Sequence, residues 1–410
     1  MNFSIDHQCP QCGAPAVLEE AERLFNCPFC RVRSYLLGGQ YFRYMFEPKS
    51  SVMNREIIYV PYWRYKGMMF TGSLEGMDHR FVDISSLAIQ SDYFPESVGL
   101  RSQALKLKFV APGTRGSFLK PTLPIHGMLS QFEICFRENS KKQISYSAFV
   151  GDHLSLIYSP FYIDQKIYDA ILEKPITSGL PEMGLVSPEN TEKPNWPIRF
   201  IPVICPDCGW DLDGGRDSLT LNCLNCHTSW LSTRKGLLKL KFGIMSGGQE
   251  NSYYLPFWRI RASITGIQLN SYKDLIQRAN LPKAIQKGME DKPFYFWVQA
   301  FKVRPKIFIQ LSRQLTLAQP DQGMTCEFPR SGMMYPVTLP VTEAVKSLKI
   351  NLADFIRPAR EFLNQLSEIE IRPERFKLVY IPFYEDHHEL IQPDFHLAVH
   401  KNMLSMAKNL

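Results

Sequence analysis

The sequence has no GxGxxG following a strand pattern, no GxxxxGK[ST], no GxSxG and no HExxH. It therefore lacks the phosphate cradles, the nucleophile elbow and the paired zinc histidines that those patterns encode. No uncharged apolar run reaches about 18 residues, so no transmembrane helix is expected. The polar N-terminus reaches Cys9 before any apolar stretch, so no secretory leader is expected. Net charge is also small. The formal value of +7 falls to +3 if eight cysteines bind two Zn²⁺ as thiolates, and bulk charge then makes no case for a polyanion partner. Apolar residues are not lacking: 45% hydrophobic and 21% charged is a globular balance that excludes global disorder. The 410 residues leave room for two or three domains. Twenty-nine prolines and 12% aromatic residues suit β-rich structure with many turns.

What is present is cysteine in pairs. Cys9, Cys12, Cys27 and Cys30 form one cluster, and Cys205, Cys208, Cys223 and Cys226 form another. Each reads CPxCG, then 13 residues, then CxxC. A CxxC turn brings two sulfurs to a shared centre. The proline pre-sets the turn, and the glycine after the second cysteine (Gly13, Gly209) tolerates the left-handed backbone it needs. Two such turns make a closed tetrahedral site whose default occupant is Zn²⁺, with iron as the alternative. Metal-spaced thiols suit a reducing compartment, so a cytoplasmic location is expected. The arrangement resembles the zinc-ribbon fold with rubredoxin-like knuckles over roughly residues 7–36 and 203–232. That resemblance implies two structural zinc ions, each holding together a hairpin too small for a core of its own. His227 follows Cys226 and is expected in solvent or beside the sulfurs, since four cysteines already suffice.

Other features also recur in order. YVPYWRYKG (59–67) matches YLPFWRIRA (254–262), PTLP (121–124) matches VTLP (337–340), and LIYSPFYID (156–164) matches LVYIPFYED (378–386). GLRSQALKLKFVAP (99–112) faces 302–320 more loosely. The chain thus reads as a tandem duplication. The expected fold class is α+β, β-rich, a four-cysteine zinc ribbon followed by a mainly antiparallel β domain with peripheral helices, twice over. The expected parts are ribbon 1 at 1–38, β domain 1 at 39–177, a Pro/Gly/Ser-rich linker at 178–197, ribbon 2 at 198–234 and β domain 2 at 235–410, with helical insertions.

Side chains after Pro61 and Pro256 should alternate across a strand. Trp63, Tyr65, Trp258 and Ile260 then face a core, while Arg64, Lys66, Arg259 and Arg261 face outward, as a solvated face or a basic surface for a partner. Helices are expected at 164–174 and 385–392, after the two closing strands. They are also expected at 271–291, broken at Pro282, and at 340–369, interrupted at Pro358. EDHHE (385–389) crowds Asp386, His387, His388 and Glu389 together, with His396 and His400 nearby. Adjacent histidines on a helix diverge by about 100°, so a solvated helix start is the plain reading and a metal or catalytic site the sharper one. Cys135 and Cys326 read as buried thiols. STRKGLLKLK (232–241) puts Arg234, Lys235, Lys239 and Lys241 directly after the second ribbon, where they could meet phosphates. The first copy, YLLGGQYFRY, is not basic there.

The layout is similar to uncharacterised bacterial proteins that pair a zinc ribbon with a YxP[FY]W strand, on Pro61-Tyr62-Trp63, Pro256-Phe257-Trp258 and the two clusters. No activity comes with that resemblance. The favoured expectation is a non-enzymatic zinc-binding scaffold or adaptor for a protein partner. The alternatives are a nucleic-acid-binding ribbon protein and an enzyme with a site near His387.

Overall fold

The computed structural model describes residues 4–37, 41–73, 75–140, 142–177, 186–196 and 198–406. It is α+β and rich in strands, with mixed sheets. Each half is built on two long antiparallel strands. Ile57–Ser73 pairs with Ile144–Asp164, setting Tyr62 against Ile157, and Tyr253–Thr265 pairs with Glu370–Asp386, setting Phe257 against Val379. Neighbouring strands run parallel as well as antiparallel. Phe42–Phe46 is parallel to the 144–164 strand, and Phe242–Met245 is parallel to the 370–386 strand. Ser117–Leu119 joins the 57–73 strand in parallel at Ile58, and Met333–Met334 joins the 253–265 strand in parallel at Tyr253.

One hydrogen-bonding arrangement occurs in both halves. A proline nitrogen cannot donate, but its carbonyl accepts: Ala88 N donates to Pro61 O and Ala300 N to Pro256 O, each at 2.9 Å. Leu123 N donates to Ala88 O and Leu339 N to Ala300 O. A buried indole needs an acceptor, and Trp63 Nε1 donates to Leu123 O at 2.7 Å, Trp258 Nε1 to Leu339 O at 2.9 Å. A helix starts immediately after each loop, Ile125–Glu138 behind Pro124 and Val341–Lys346 behind Pro340.

Two expected helices are hairpins instead. Lys166–Asp169 folds back on the end of the 144–164 strand, and Glu389–Gln392 folds back on the end of the 370–386 strand. The turns are made by Gln165 (φ 59°) and His387 (φ 52°). Burial alternates along both returning strands, with Ile167 and Asp169, then Leu390 and Gln392, pointing inward. In 271–291 the helix is only Tyr272–Arg278, started by a capping box between Ser271 and Asp274. The 340–369 region holds three helices, Val341–Lys346, Leu348–Phe355 and Ala359–Gln365, with the expected break at Pro358. Pro305–Ala318 is a helix with proline in its first turn, whereas the segment set against it, 99–112, holds only the short helix Arg101–Ala104 and the strand Leu107–Phe109.

The halves touch closely. The core of the second half takes in Met68, Phe70 and Val150 from the first. Phe200–Pro202, just ahead of Cys205, adds an antiparallel strand to Arg33–Leu36. Of the expected linker, 178–185 and 197 lie outside the described residues. Within the described remainder, Thr191–Glu192 pairs with Phe118–Leu119, and Trp196 stacks on Tyr158 at 5.9 Å.

Candidate metal centres

Each cluster is assembled from two turns on adjacent hairpins. Cys9 and Cys12 lie between strands Ser4–Gln8 and Pro15–Glu19, and Cys27 and Cys30 between Leu24–Asn26 and Arg33–Leu36. Gly13 N donates to Cys9 O and Gly209 N to Cys205 O, each at 2.9 Å, closing the first turn of each set. Both glycines adopt φ 73°, the left-handed backbone anticipated after the second cysteine. In the second turns that conformation falls to Arg31 and His227.

The sulfurs converge. Cys9 and Cys30 Sγ are 3.8 Å apart and Cys12 and Cys27 Sγ 3.7 Å. The matching pairs Cys205–Cys226 and Cys208–Cys223 are 3.6 and 3.5 Å apart. Within each set all four sulfurs lie within 4.8 Å of one another. A tetrahedral thiolate site with a metal–sulfur bond of about 2.3 Å places its sulfurs about 3.8 Å apart, so both donor sets fit a four-coordinate ion. All four positions come from cysteine, leaving no place for substrate. Among the described residues these are the only groups of three or more metal-capable side chains within reach of one point.

The turns favour thiolate. The backbone N–H of Cys30, with that of Phe29, draws Cys27 down to about 6. Burial opposes ionisation of Cys205, but the N–H groups of Cys208 and Asp207 and the Thr228 hydroxyl outweigh it and bring the thiol to about 6. In each set another thiol resists ionisation. Cys30, despite the Val32 N–H, is pushed up to about 12 by burial and the adjacent sulfurs, and burial leads the rise of Cys223 to about 12. An ion that binds all four as thiolates must release those protons.

The two cysteine-bearing segments are fastened to each other. Leu24, Tyr35 and Leu37 pack with Val203, Cys205, Leu221 and Trp230 in one cluster. Tyr35 Oη, fully buried, donates to Ser218 O at 2.7 Å, and Arg23 N and Leu24 N both donate to Arg216 O.

The four basic residues expected on an outward face are placed otherwise. Arg64 is 1% exposed. Its Nε and Nη2 donate to the two carboxylate oxygens of Asp83 at 2.7 and 2.8 Å, and Nη1 donates to Glu20 Oε1 at 2.5 Å. Lys66 is buried with its Nζ 3.8 Å from Glu20; burial lowers its pKa and Glu20 partly restores it. The expected wet face of this strand is covered, because every residue of Ile57–Ser73 is buried, with the Gly76–Leu87 strand paired beside it. Arg259 is half-buried, its guanidinium 3.7 Å from the centre of the Tyr295 ring. Arg261 is also half-buried and donates to Phe294 O and Asn270 O.

His387 sits at a hairpin tip with its side chain 91% exposed, bonded to Asp386, which raises its pKa. His388 stacks on His400 across the hairpin. These residues form no converging ligand set. Cys135 and Cys326 are exposed, not buried. The basic stretch 232–241 forms the turn and second strand of the hairpin between Thr228–Thr233 and Gly236–Leu240, in which Lys239 pairs with Asp207 at 2.6 Å. His227 is held by Phe328, whose N–H donates to Nδ1 at 3.0 Å.

Several notable residues went unread in the sequence. Phe29 (65% exposed), Trp210 (61% exposed) and Leu224 stand out from the knuckles, and Asn225 and Thr228 lie against the sulfurs. Their signal was adjacency: each lies within two residues of a ligand. Comparison of the chain with protein-family models, with curated proteins and with solved structures found no match.

Proposed function

We propose that the protein is a non-enzymatic zinc-binding scaffold that meets a protein partner through the knuckle ends of its two ribbons. The observation that carries this reading is the exposure of Phe29, Trp210 and Leu224 on turns that are otherwise built wholly around cysteine. Exposed aromatic side chains on rigid turns supply contact area at low entropic cost. Closed four-cysteine donor sets support a structural role for the metal, with zinc the ion best suited to four thiolates. The contact surface then lies away from Arg64 and Lys66, whose charges are already answered by Glu20 and Asp83. Asp211 is exposed beside Trp210, and Lys239 near that end is already paired with Asp207, which disfavours the nucleic-acid alternative.

We also infer that the chain arose by tandem duplication, with the five-part division at residues 38, 177, 197 and 234. The support is the repeated Pro–Ala–Leu–Trp hydrogen-bonding loop and the matching parallel strands at Ile58 and Tyr253, which join motifs already paired in sequence. The partner reading is tested by native mass spectrometry of protein gently purified from its own source. A stoichiometric protein partner should be present and should be lost in the double variant Phe29→Asp, Trp210→Asp, while Arg259→Glu retains it. Retention by the knuckle variant refutes the knuckle surface.

A further inference from the structure

The two cysteine sets bury their ligands alike, with two cysteines buried, one partly buried and one exposed in each. Their surroundings differ. In the second set Thr228 Oγ1 lies 3.2 Å from Cys226 Sγ and 3.6 Å from Cys205 Sγ. Trp230 Nε1, which can only donate, gives its hydrogen to the same Oγ1 at 3.0 Å. The hydroxyl's own hydrogen is thereby left for sulfur. Asn225 Nδ2 donates to Cys208 Sγ at 3.6 Å. Counted from the matching cysteines, the first ribbon has Phe29 where the second has Asn225, Val32 where it has Thr228, and Ser34 where it has Trp230. Phe29 and Val32 have no side-chain donor to offer.

We propose that the two metal sites are unequal: Thr228 and Asn225 make the second site the retained one, and their replacement by Val32 and Phe29 makes the first site the exchangeable one. The inference rests on the zinc-binding reading above. A donor against a thiolate fixes the direction of its sulfur and spreads its charge, and a ligand that loses such a partner typically holds metal 10–100-fold less well. Thr228 is itself locked by Trp230 and by the strand pairing of Thr228–Thr233 with Thr220–Cys223, so its hydroxyl keeps its aim. His227, adjacent, is tied to Phe328 of the neighbouring β domain, whereas Arg31 at the same place in the first ribbon is exposed. The first ribbon is therefore the one whose turn is less constrained on both counts.

The test uses the full chain loaded with zinc, counted first by native mass spectrometry and then challenged with excess of a chromophoric zinc chelator at fixed neutral pH. Fewer than two ions per chain at the outset would defeat the zinc reading itself. With two ions present, release should occur in two phases of one ion each, separated by about tenfold or more. Thr228→Val should accelerate the slow phase and leave the fast phase unchanged, and Thr228→Ser, which keeps the hydroxyl, should restore the slow rate. Should Thr228→Val fail to fold, Asn225→Phe, at an exposed position, should accelerate the same phase. A single phase releasing both ions, or acceleration of the fast phase by Thr228→Val or Asn225→Phe, overturns the proposal.

Discussion

Arg64 is a buried cation on which the carboxylates of Glu20 and Asp83 converge. Its guanidinium is almost wholly buried and bonded at three nitrogens, bidentate to Asp83 and singly to Glu20. Glu20 lies in the turn between strands Pro15–Glu19 and Leu24–Asn26, and Arg64 on the central Ile57–Ser73 strand, so Arg64 adds a buried ionic tie to the strand pairing of Ser4–Gln8 with Leu107–Phe109. Removing one partner of a buried ion group leaves the others charged and desolvated. Arg64→Ala should therefore lower stability by about 3–5 kcal/mol in chemical denaturation of metal-loaded protein. A loss below about 1 kcal/mol would mean that water reaches Glu20 and Asp83 and that this tie is weak. The sequence made Arg64 legible as a strand residue opposite Trp63 but not as a buried one. Alternation marks two faces, and only the tertiary fold decides whether the polar face meets water. Glu20 and Asp83 lie 44 and 19 residues away along the chain, and no local pattern joins them to Arg64.

At the scale of elements, the strands around Pro61 and Pro256 were legible because proline and tryptophan constrain them strongly: one cannot donate, and the other must find an acceptor once buried. The turns after the closing strands were not legible. Gln165 and His387 hold left-handed backbone without being glycine or asparagine, so the usual turn signal is missing and short apolar runs imitate a helix. That conformation costs a side chain roughly 1–2 kcal/mol. His387→Gly should accordingly leave the protein as stable or slightly more so, and His387→Val, β-branched, should lower stability by about 1 kcal/mol. Thermal unfolding of the two variants side by side checks this. If His387→Gly instead abolishes an activity while the fold survives, the tip has a chemical role that its exposure gives no sign of.

For the whole molecule, the cysteine clusters were fully legible, because a CxxC spacing is a local constraint that survives any tertiary context. Their mutual arrangement was not. The first ribbon's Arg33–Leu36 strand takes up Phe200–Pro202 from beyond the expected linker, and Tyr35 reaches Ser218 of the second ribbon. The two cysteine donor sets therefore lie in one joined body. On the proposed reading each centre is a closed four-thiolate zinc site serving architecture, with the contact surface on the knuckles outside. X-ray absorption at the zinc edge, with metal quantified on the same sample, tests this most directly. The expected result is two zinc ions per chain and a single shell of four sulfurs at about 2.3 Å. A nitrogen or oxygen neighbour in that shell, iron in place of zinc, or fewer than two ions per chain would contradict it.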